Sequence, residues 1–176
     1  QSSDYQARRQ AVLAHNAKGG IIRKGISLTP VKFGISFTAT WYNQAGALVH
    51  IYNDGSIMLN HGGTEMGQGL NTKVAQVVAE AFQVDFDTIK ITKTTTEKVP
   101  NTSATAASSG TDLNGMAALN ACEQIKERLI RWACDHFGVD ALLVKFAPNE
   151  VHVGDQVFAF GDFIKQAYMA RVQLWA

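Results

Sequence analysis

An α+β fold, with mixed but largely antiparallel strands and helices packed on them, is what this 176-residue chain predicts. Three observations carry it. Apolar residues recur at helical spacing in two long segments, through Leu70, Val74, Val77, Val78 and Ala81 and again through Leu113, Ala117, Ala121, Ile125, Leu129 and Trp132. Short strand-like runs are joined by tight turns at Asn53-Asp54-Gly55 and Gly154-Asp155, where Asn, Asp and Gly accept positive φ at low cost. Hairpin strands mixed with helices, rather than strictly alternating units, point to α+β.

In chain order, Asp4 to Ala17 is a helix closed by Gly19-Gly20. Strand signals follow at Ile21-Ile22, from Val31 to Thr40 and from Leu48 to Tyr52. Ser56 to Asn60 returns as the second arm of the first hairpin and leads into a glycine-rich turn. Helix 70–82 comes next, then a strand near Ile89 to Thr92. Residues 94–110 are rich in Thr, Ser and Ala and feed helix 111–134. The tail holds a hairpin, Val151-His152-Val153 with Val157-Phe158-Ala159, and a last helix capped by Asp162 and carrying Phe163 and Ala167. No internal repeat is visible.

With 46% hydrophobic residues the chain can bury one core, and residues 1–176 read as a single domain. A net charge of +1 with scattered Lys and Arg argues against nucleic acid as a partner. No apolar run reaches the ~20 residues that span a bilayer, so no membrane partner is expected. Cys122 and Cys134 lie twelve residues apart in one helix, about 18 Å at the helical rise, beyond disulfide reach. Free cysteines fit a reducing compartment, so the expected location is cytoplasmic and the Asn101-Thr102-Ser103 sequon is expected to be silent. The Gln start and the Val172-Gln173-Leu174-Trp175-Ala176 end look cut, which suggests a piece of a longer polypeptide.

His61-Gly62-Gly63-Thr64-Glu65-Met66-Gly67-Gln68-Gly69-Leu70 is the most informative stretch. A glycine-rich turn lets the backbone approach a ligand closely, and the helix start behind it favours an anion, usually a phosphate. The turn is not a P-loop, because no Gly-Lys-Ser/Thr follows. Nor is it a dinucleotide fingerprint, because the third glycine is missing. Thr105-Ala106-Ala107-Ser108-Ser109-Gly110 repeats the arrangement, with small side chains and hydroxyls ahead of the second helix. Two such cradles in one short chain favour a single elongated phosphorylated ligand.

The motif at residues 61–70 closely resembles the cofactor-binding segment of xanthine dehydrogenases, a branch of the molybdenum hydroxylase family. The resemblance runs over about residues 20–135, in family order. It takes in Lys32-Phe33-Gly34-Ile35-Ser36-Phe37-Thr38, Val49-His50-Ile51-Tyr52, Asp54-Gly55-Ser56, Val99-Pro100-Asn101-Thr102-Ser103-Ala104-Thr105-Ala106-Ala107-Ser108 and Asp112-Leu113-Asn114-Gly115. It implies the C-terminal part of a molybdopterin-binding domain, holding molybdenum-molybdopterin, with iron–sulfur clusters and FAD elsewhere in the holoenzyme. The implied activity is hydroxylation of purines, hypoxanthine or xanthine, with oxygen derived from water. Its implied partners are the rest of the molybdenum subunit, an iron–sulfur and FAD subunit or domain, and the purine.

Carried over residue by residue, the resemblance gives cofactor binding to Gly67, Gln68, Gly69, Thr105, Ala106, Ala107 and Ser108. The carboxamide of Gln68, donor and acceptor at once, matches the mixed edge of a pterin ring. Ala107 would lie beside molybdenum through its main chain. Phe37 would pack on a flat heteroaromatic ring, with Thr38 bonding its oxygen; by itself Phe37 reads as a strand core residue. His61 lacks partners at metal-ligand spacing and reads as a turn or hydrogen-bonding residue. Glu65 reads as solvated or capping, and Asp112 as serving the start of its helix.

No catalytic residue is assigned in this chain. The family's glutamate base, in a Gly-Glu context, and its Phe-Gly-Gly and Arg-Gly-Phe segments do not occur here, so the chain alone is expected to be inactive. Three other readings stay open: a related hydroxylase of aldehydes or N-heterocycles, a non-catalytic module for a phosphorylated ligand, and a protein interaction domain.

Overall fold

The computed structural model describes residues 3–32, 34–35, 37–98 and 102–176. Phe33, Ser36 and Val99-Pro100-Asn101, quoted within the motifs above, lie outside the described residues, as does the Asn of the sequon. Two compact units, 1–34 and 35–176, are taken in turn.

In the first unit α1 spans Tyr5–Ala17, as the sequence predicts. Its end is tied by Asn16, whose amide donates to the Lys24 carbonyl at 2.9 Å while its Oδ1 accepts the Lys24 N–H at 3.0 Å. The guanidinium of Arg23 also donates to the Asn16 carbonyl. Ile21 and Ile22 form no strand and are exposed, contrary to their β-branched character. A strand needs a partner edge to satisfy its backbone, and none pairs with them among the described residues.

The second unit begins without the expected strand at Val31 to Thr40. Its described residues run as irregular backbone into a 3-10 turn at Thr40–Tyr42, so Phe37 sits in a loop, largely exposed, rather than in a core. Again, among the described residues no neighbouring edge pairs with the segment. Beyond it, β1 (Ala47–Ile51) and β2 (Ile57–His61) form the predicted hairpin. The turn leans on glycine: Gly55 has φ 88°, and a Cβ there would lie 2.8 Å from the Cα of Gly161. Gly55→Ala therefore combines left-handed strain with a backbone overlap, and is expected to cost about 2–4 kcal/mol. Urea unfolding of the variant checks this; a loss below about 1 kcal/mol would mean the hairpin tip yields freely.

From β2 the chain passes through the glycine loop into α2 (Leu70–Phe82), with the boundaries read from the sequence. It returns as β3 (Ile89–Ile91), which pairs parallel to β2, giving sheet order β1-β2-β3. A parallel pair requires such a crossover, and α2 supplies it. The free edge of β1 is covered by the chain end, where the Val49 N–H and Ile51 N–H donate to the Ala176 and Leu174 carbonyls at 2.9 and 2.8 Å.

Helix α3 (Gly110–Phe137) is longer than the predicted 111–134 and ends on Gly138 at φ 68°, a left-handed C-cap. It packs along α2 and the first sheet, with Ala118, Ala121, Cys122, Ile125, Leu129 and Ala133 buried. Leu113, Ala117 and Trp132 of the predicted face are only half-buried, because the contact stripe also runs through Asn114 and Ala118. The 28-residue length lets α3 reach a second sheet, β4 (Val144–Ala147), β5 (Glu150–Val153) and β6 (Gln156–Ala159), an antiparallel meander. The strand β4 has no counterpart among the predicted elements; β5 and β6 are the predicted tail hairpin.

The last helix, α4 (Phe160–Met169), begins before Asp162, and Asp162 does not cap it. The Phe160 N–H donates to the Asn149 carbonyl at 2.8 Å, pinning the chain so that the helix starts as β6 ends. Asp162 instead sits in the first turn, where its charge favours the helix dipole. Among the described residues, four α-helices with two small, mainly antiparallel sheets make an α+β fold, as the sequence predicts. Cys122 and Cys134 are both free on α3, and burial pushes the Cys122 thiol up to about 12. Among the described residues no helix is long and apolar enough to cross a membrane.

Candidate functional site

Three loops of the second unit meet at one end of α2 and α3. The loop between β2 and α2, residues 62–69, is held to the loop before α3 by the Thr64 N–H, which donates to Thr105 Oγ1 at 2.8 Å. The loop before β1 joins them: Ser103 N–H donates to the Gln44 carbonyl at 2.9 Å, and Gln44 N–H to Ser103 Oγ at 3.0 Å. Ser103 Oγ also donates to the Tyr42 carbonyl. Thr94 Oγ1 lies 3.1 Å from both the His61 and Gly63 carbonyls, anchoring the entry to the glycine loop.

The glycines of that loop do two different jobs. Gly62 and Gly63 are demanded by packing: a Cβ on Gly62 would strike Thr102, and one on Gly63 would lie 2.5 Å from Leu70 Cδ2 and 2.8 Å from Asn114 Nδ2. Gly67 and Gly69, at φ 100° and 76°, are demanded by backbone conformation; a Cβ on Gly67 would meet nothing, and one on Gly69 would touch only Lys73 Cε at 4.0 Å.

Glu65 dominates the electrostatics of the turn. Its Oε1 accepts the N–H groups of Gly67 and Gly69 at 2.8 and 3.1 Å, and its Oε2 accepts that of Asn71 at 3.0 Å. The Asn71 N–H, then those of Gly67, Gly69 and Leu70, hold its carboxyl below the usual carboxylate range. The start of α2 is thus already occupied by the chain's own anion, which corrects the expectation that it offers free N–H groups to a phosphate. The capping reading of Glu65 is the one the geometry bears out. His61 is buried, and its Nδ1 accepts the Gly63 N–H at 3.1 Å, the hydrogen-bonding role expected of it. Burial lowers its pKa, against smaller opposing effects of the Asn71 side chain and the Glu65 charge.

The start of α3 is different. The N–H groups of Gly110, Thr111 and Asp112 have no acceptor among the described residues, and the Ser109 hydroxyl donates back to the Ala106 carbonyl at 2.9 Å instead of capping the helix. Asp112 lies in this first turn, as the sequence suggests. Ahead of it Ala107 and Ser108 both take left-handed conformations, at φ 53° and 56°. Two consecutive residues with a Cβ in that region are costly, of order 1–2 kcal/mol each, and such strain clusters at ligand sites.

A cavity of about 340 Å³ opens against this start. Gln68, Thr105, Ala106, Ala107 and Ser108 line it, so it brings together five of the seven cofactor-binding residues read from the sequence. Gly67 and Gly69 shape the loop behind it and do not line it. Met66, Lys73 and Thr111 line it too, and sequence reasoning missed them. Lys73 was findable one helical turn after Gly69, on the same side of α2. The carboxamide of Gln68 is partly engaged, its Oε1 accepting the Met66 N–H at 2.6 Å and its Nε2 donating to the Thr64 carbonyl at 2.9 Å. An amide has two donor hydrogens and two acceptor lone pairs, so half of its capacity remains.

Phe37 lines a second cavity of about 350 Å³ with Tyr42, Asn43, Gln44 and Ser103, and Ala106 lines both. The Asn43 amide donates to the Phe37 carbonyl at 3.0 Å, and the Phe37 and Tyr42 rings are tilted at 6.5 Å. Thr38 is exposed and lines neither cavity. Among the described residues no group of three or more His, Cys, Asp or Glu side chains could hold a metal ion.

The chain is similar to several known proteins. The family described as molybdopterin cofactor-binding domain matches residues 1–176, a wider span than the motifs at about 20–135. A xanthine dehydrogenase of Calliphora vicina is 53% identical over 176 residues, covering 100% of this chain and 12% of that protein. A xanthine dehydrogenase of Blastobotrys adeninivorans is 52% identical over 145 residues, covering 82% of this chain and 10% of that protein. The chain thus spans about a tenth of the length of the curated relatives it matches. Among solved structures, reconstituted CO dehydrogenase from Oligotropha carboxidovorans superposes with a TM-score of 0.67 at 22% identity, covering 76% of this chain and 18% of that one. At that identity the likeness concerns the fold alone.

Proposed function

The chain belongs to the molybdopterin cofactor-binding domain family, and from that premise we propose that it is the cofactor-gripping part of a xanthine dehydrogenase that hydroxylates purines. One observation carries the reading: a single cavity gathers Gln68, Thr105, Ala106, Ala107 and Ser108 against the open start of α3. The residues fit an elongated phosphorylated pterin. The unpaired N–H groups of Gly110, Thr111 and Asp112 would hold the phosphate, because a helix start attracts an anion. Lys73, at the same cavity, would add a positive charge. The free half of the Gln68 carboxamide would bond the pterin edge. Ala106 and Ala107, lacking bulk, let the ligand approach the main chain, and the backbone of Ala107 would lie nearest the metal that the ligand carries. When bound, molybdopterin supplies the redox-active molybdenum that such hydroxylation requires.

The remaining roles fall to orientation. Phe37 would form a wall for a flat purine in the adjoining cavity, where a ring contact is worth about 1 kcal/mol beyond burial. Thr38, next to it, would donate its hydroxyl to a carbonyl oxygen borne by the purine ring. No residue of this chain is assigned as the base; the remainder of the molybdenum subunit would supply it. Iron–sulfur and FAD domains or a separate subunit would carry electrons away. The free cysteines on α3 support a reducing, cytoplasmic setting.

The full-length protein is expected to hydroxylate xanthine. Thr38→Ala is expected to raise KM for xanthine about tenfold, the worth of one hydrogen bond, with little effect on an aldehyde that has no such ring-borne carbonyl. No turnover of any purine would overturn the reading. Equal effects on both substrates would remove Thr38 from the substrate site.

A further inference from the structure

We infer that Glu65 is a positioning residue of the cofactor loop, an internal anion that holds Gly67, Gly69 and the first turn of α2 in the shape the cavity requires. The inference rests on the function proposed above, and it concerns a residue that touches no ligand in that proposal. One carboxylate collects three N–H groups, from Gly67 and Gly69 on one oxygen and from Asn71 on the other, at 2.8, 3.1 and 3.0 Å. Two of these donors belong to the left-handed glycines Gly67 and Gly69, which have no side chains of their own to fix them, and the third lies in the first turn of α2.

Besides Glu65, among the described residues the stretch 67–69 is held only by the Gln68 side chain, bonded to Met66 and Thr64, and by the Gly69 carbonyl, which accepts the Lys73 N–H at 3.1 Å. Without the carboxylate, Gly67 and Gly69 would regain much of the wide conformational range of glycine, the largest of any residue. The consequence falls on Gln68, which lies between the two glycines and faces the cavity. Its carboxamide is aimed by bonds to Met66 and Thr64 inside the same turn, so the aim is only as good as the backbone on either side.

Charge matters as well as shape. A carboxylate is an acceptor at both oxygens, whereas an amide in its place would turn an NH₂ group toward an N–H donor. A filled α2 start also repels a second anion, leaving the α3 start as the one open to it.

The test uses the full-length protein and two readouts, hydrogen exchange of the peptide spanning residues 64–72 and pterin released per chain. Glu65→Gln is expected to speed exchange there by about tenfold or more, since bonds to a charged acceptor are the strong ones. Exchange in β1 and β2 should be unchanged, and pterin content should fall. Glu65→Asp keeps the charge and can still reach the N–H two residues on, but not all three donors, and should fall between the two. Unchanged exchange in Glu65→Gln would overturn the inference, as would faster exchange with wild-type pterin content. An aspartate variant no better than glutamine would overturn the need for charge. A native protein that carries no pterin would sink the proposed function instead, and the exchange readout would still decide Glu65.

Discussion

Replacing Ala107 by valine in the full-length protein is expected to strip away about nine-tenths of its molybdopterin while leaving the fold intact, a tenfold loss being worth about 1.4 kcal/mol. Ala107 has φ 53°, lines the cavity, and is followed by Ser108 at 56°. A β-branched side chain is far less tolerant of the left-handed region than alanine, so the turn would move to relieve the strain. The added methyl groups would also stand where the ligand must reach the main chain. Ala107→Gly supplies the contrast, because glycine takes positive φ without strain and adds no bulk. It should keep its pterin. Pterin fluorescence per chain, read beside circular dichroism, checks both variants. Valine with wild-type pterin content would mean that this cavity is not the cofactor's.

The second large effect is on stability. Phe163→Ala is expected to cost about 3–5 kcal/mol, a substantial share of the 5–15 kcal/mol that holds a domain together. Phe163 is fully buried on α4 and meets Trp132 edge-on at 5.3 Å and Phe146 at 6.3 Å. Its removal leaves a hole where α3, α4 and the second sheet converge. Val157→Ala, at an exposed position on β6, should cost less than about 0.5 kcal/mol. Denaturant unfolding of the two variants side by side checks the difference. A loss at Phe163 no greater than at Val157 would show that this cluster does not anchor the second sheet.

What could be read from the sequence divides along a physical line. Helix α2 was legible to the residue because its apolar spacing, its glycine entry and its burial against the sheet all agree. The first hairpin was legible because Asn53-Asp54-Gly55 names its own turn. Residues 31–40 carry the same apolar signal, yet form no strand among those described. Strand formation depends on a neighbour's edge, which no local pattern reveals. The long start of α4 is the same lesson in reverse: a tertiary bond from Phe160 to Asn149 overrides the local capping preference of Asp162.

The site was legible as chemistry and only partly as geometry. The two small-residue loops do meet, and Ala107 and Ser108 do line the space between them and the helix start. The sequence offered two equivalent helix starts for an anion. Only folding decides that Glu65 curls back to fill one and leaves the other open. Met66 was hidden because cavity lining depends on how the glycine loop folds against the loop before α3, whereas Lys73 could have been read from the helical period one turn after Gly69. Thr38 remains an assignment by resemblance, exposed beside Phe37.

The most direct test is to isolate the native polypeptide that contains this chain and measure molybdenum and pterin per chain. One molybdenum and one molybdopterin for each polypeptide is the expected result, with both lost together in Ala107→Val. A pure, folded protein that carries neither, or that binds a different phosphorylated ligand in their place, would contradict the claim that this cavity is the grip on molybdopterin.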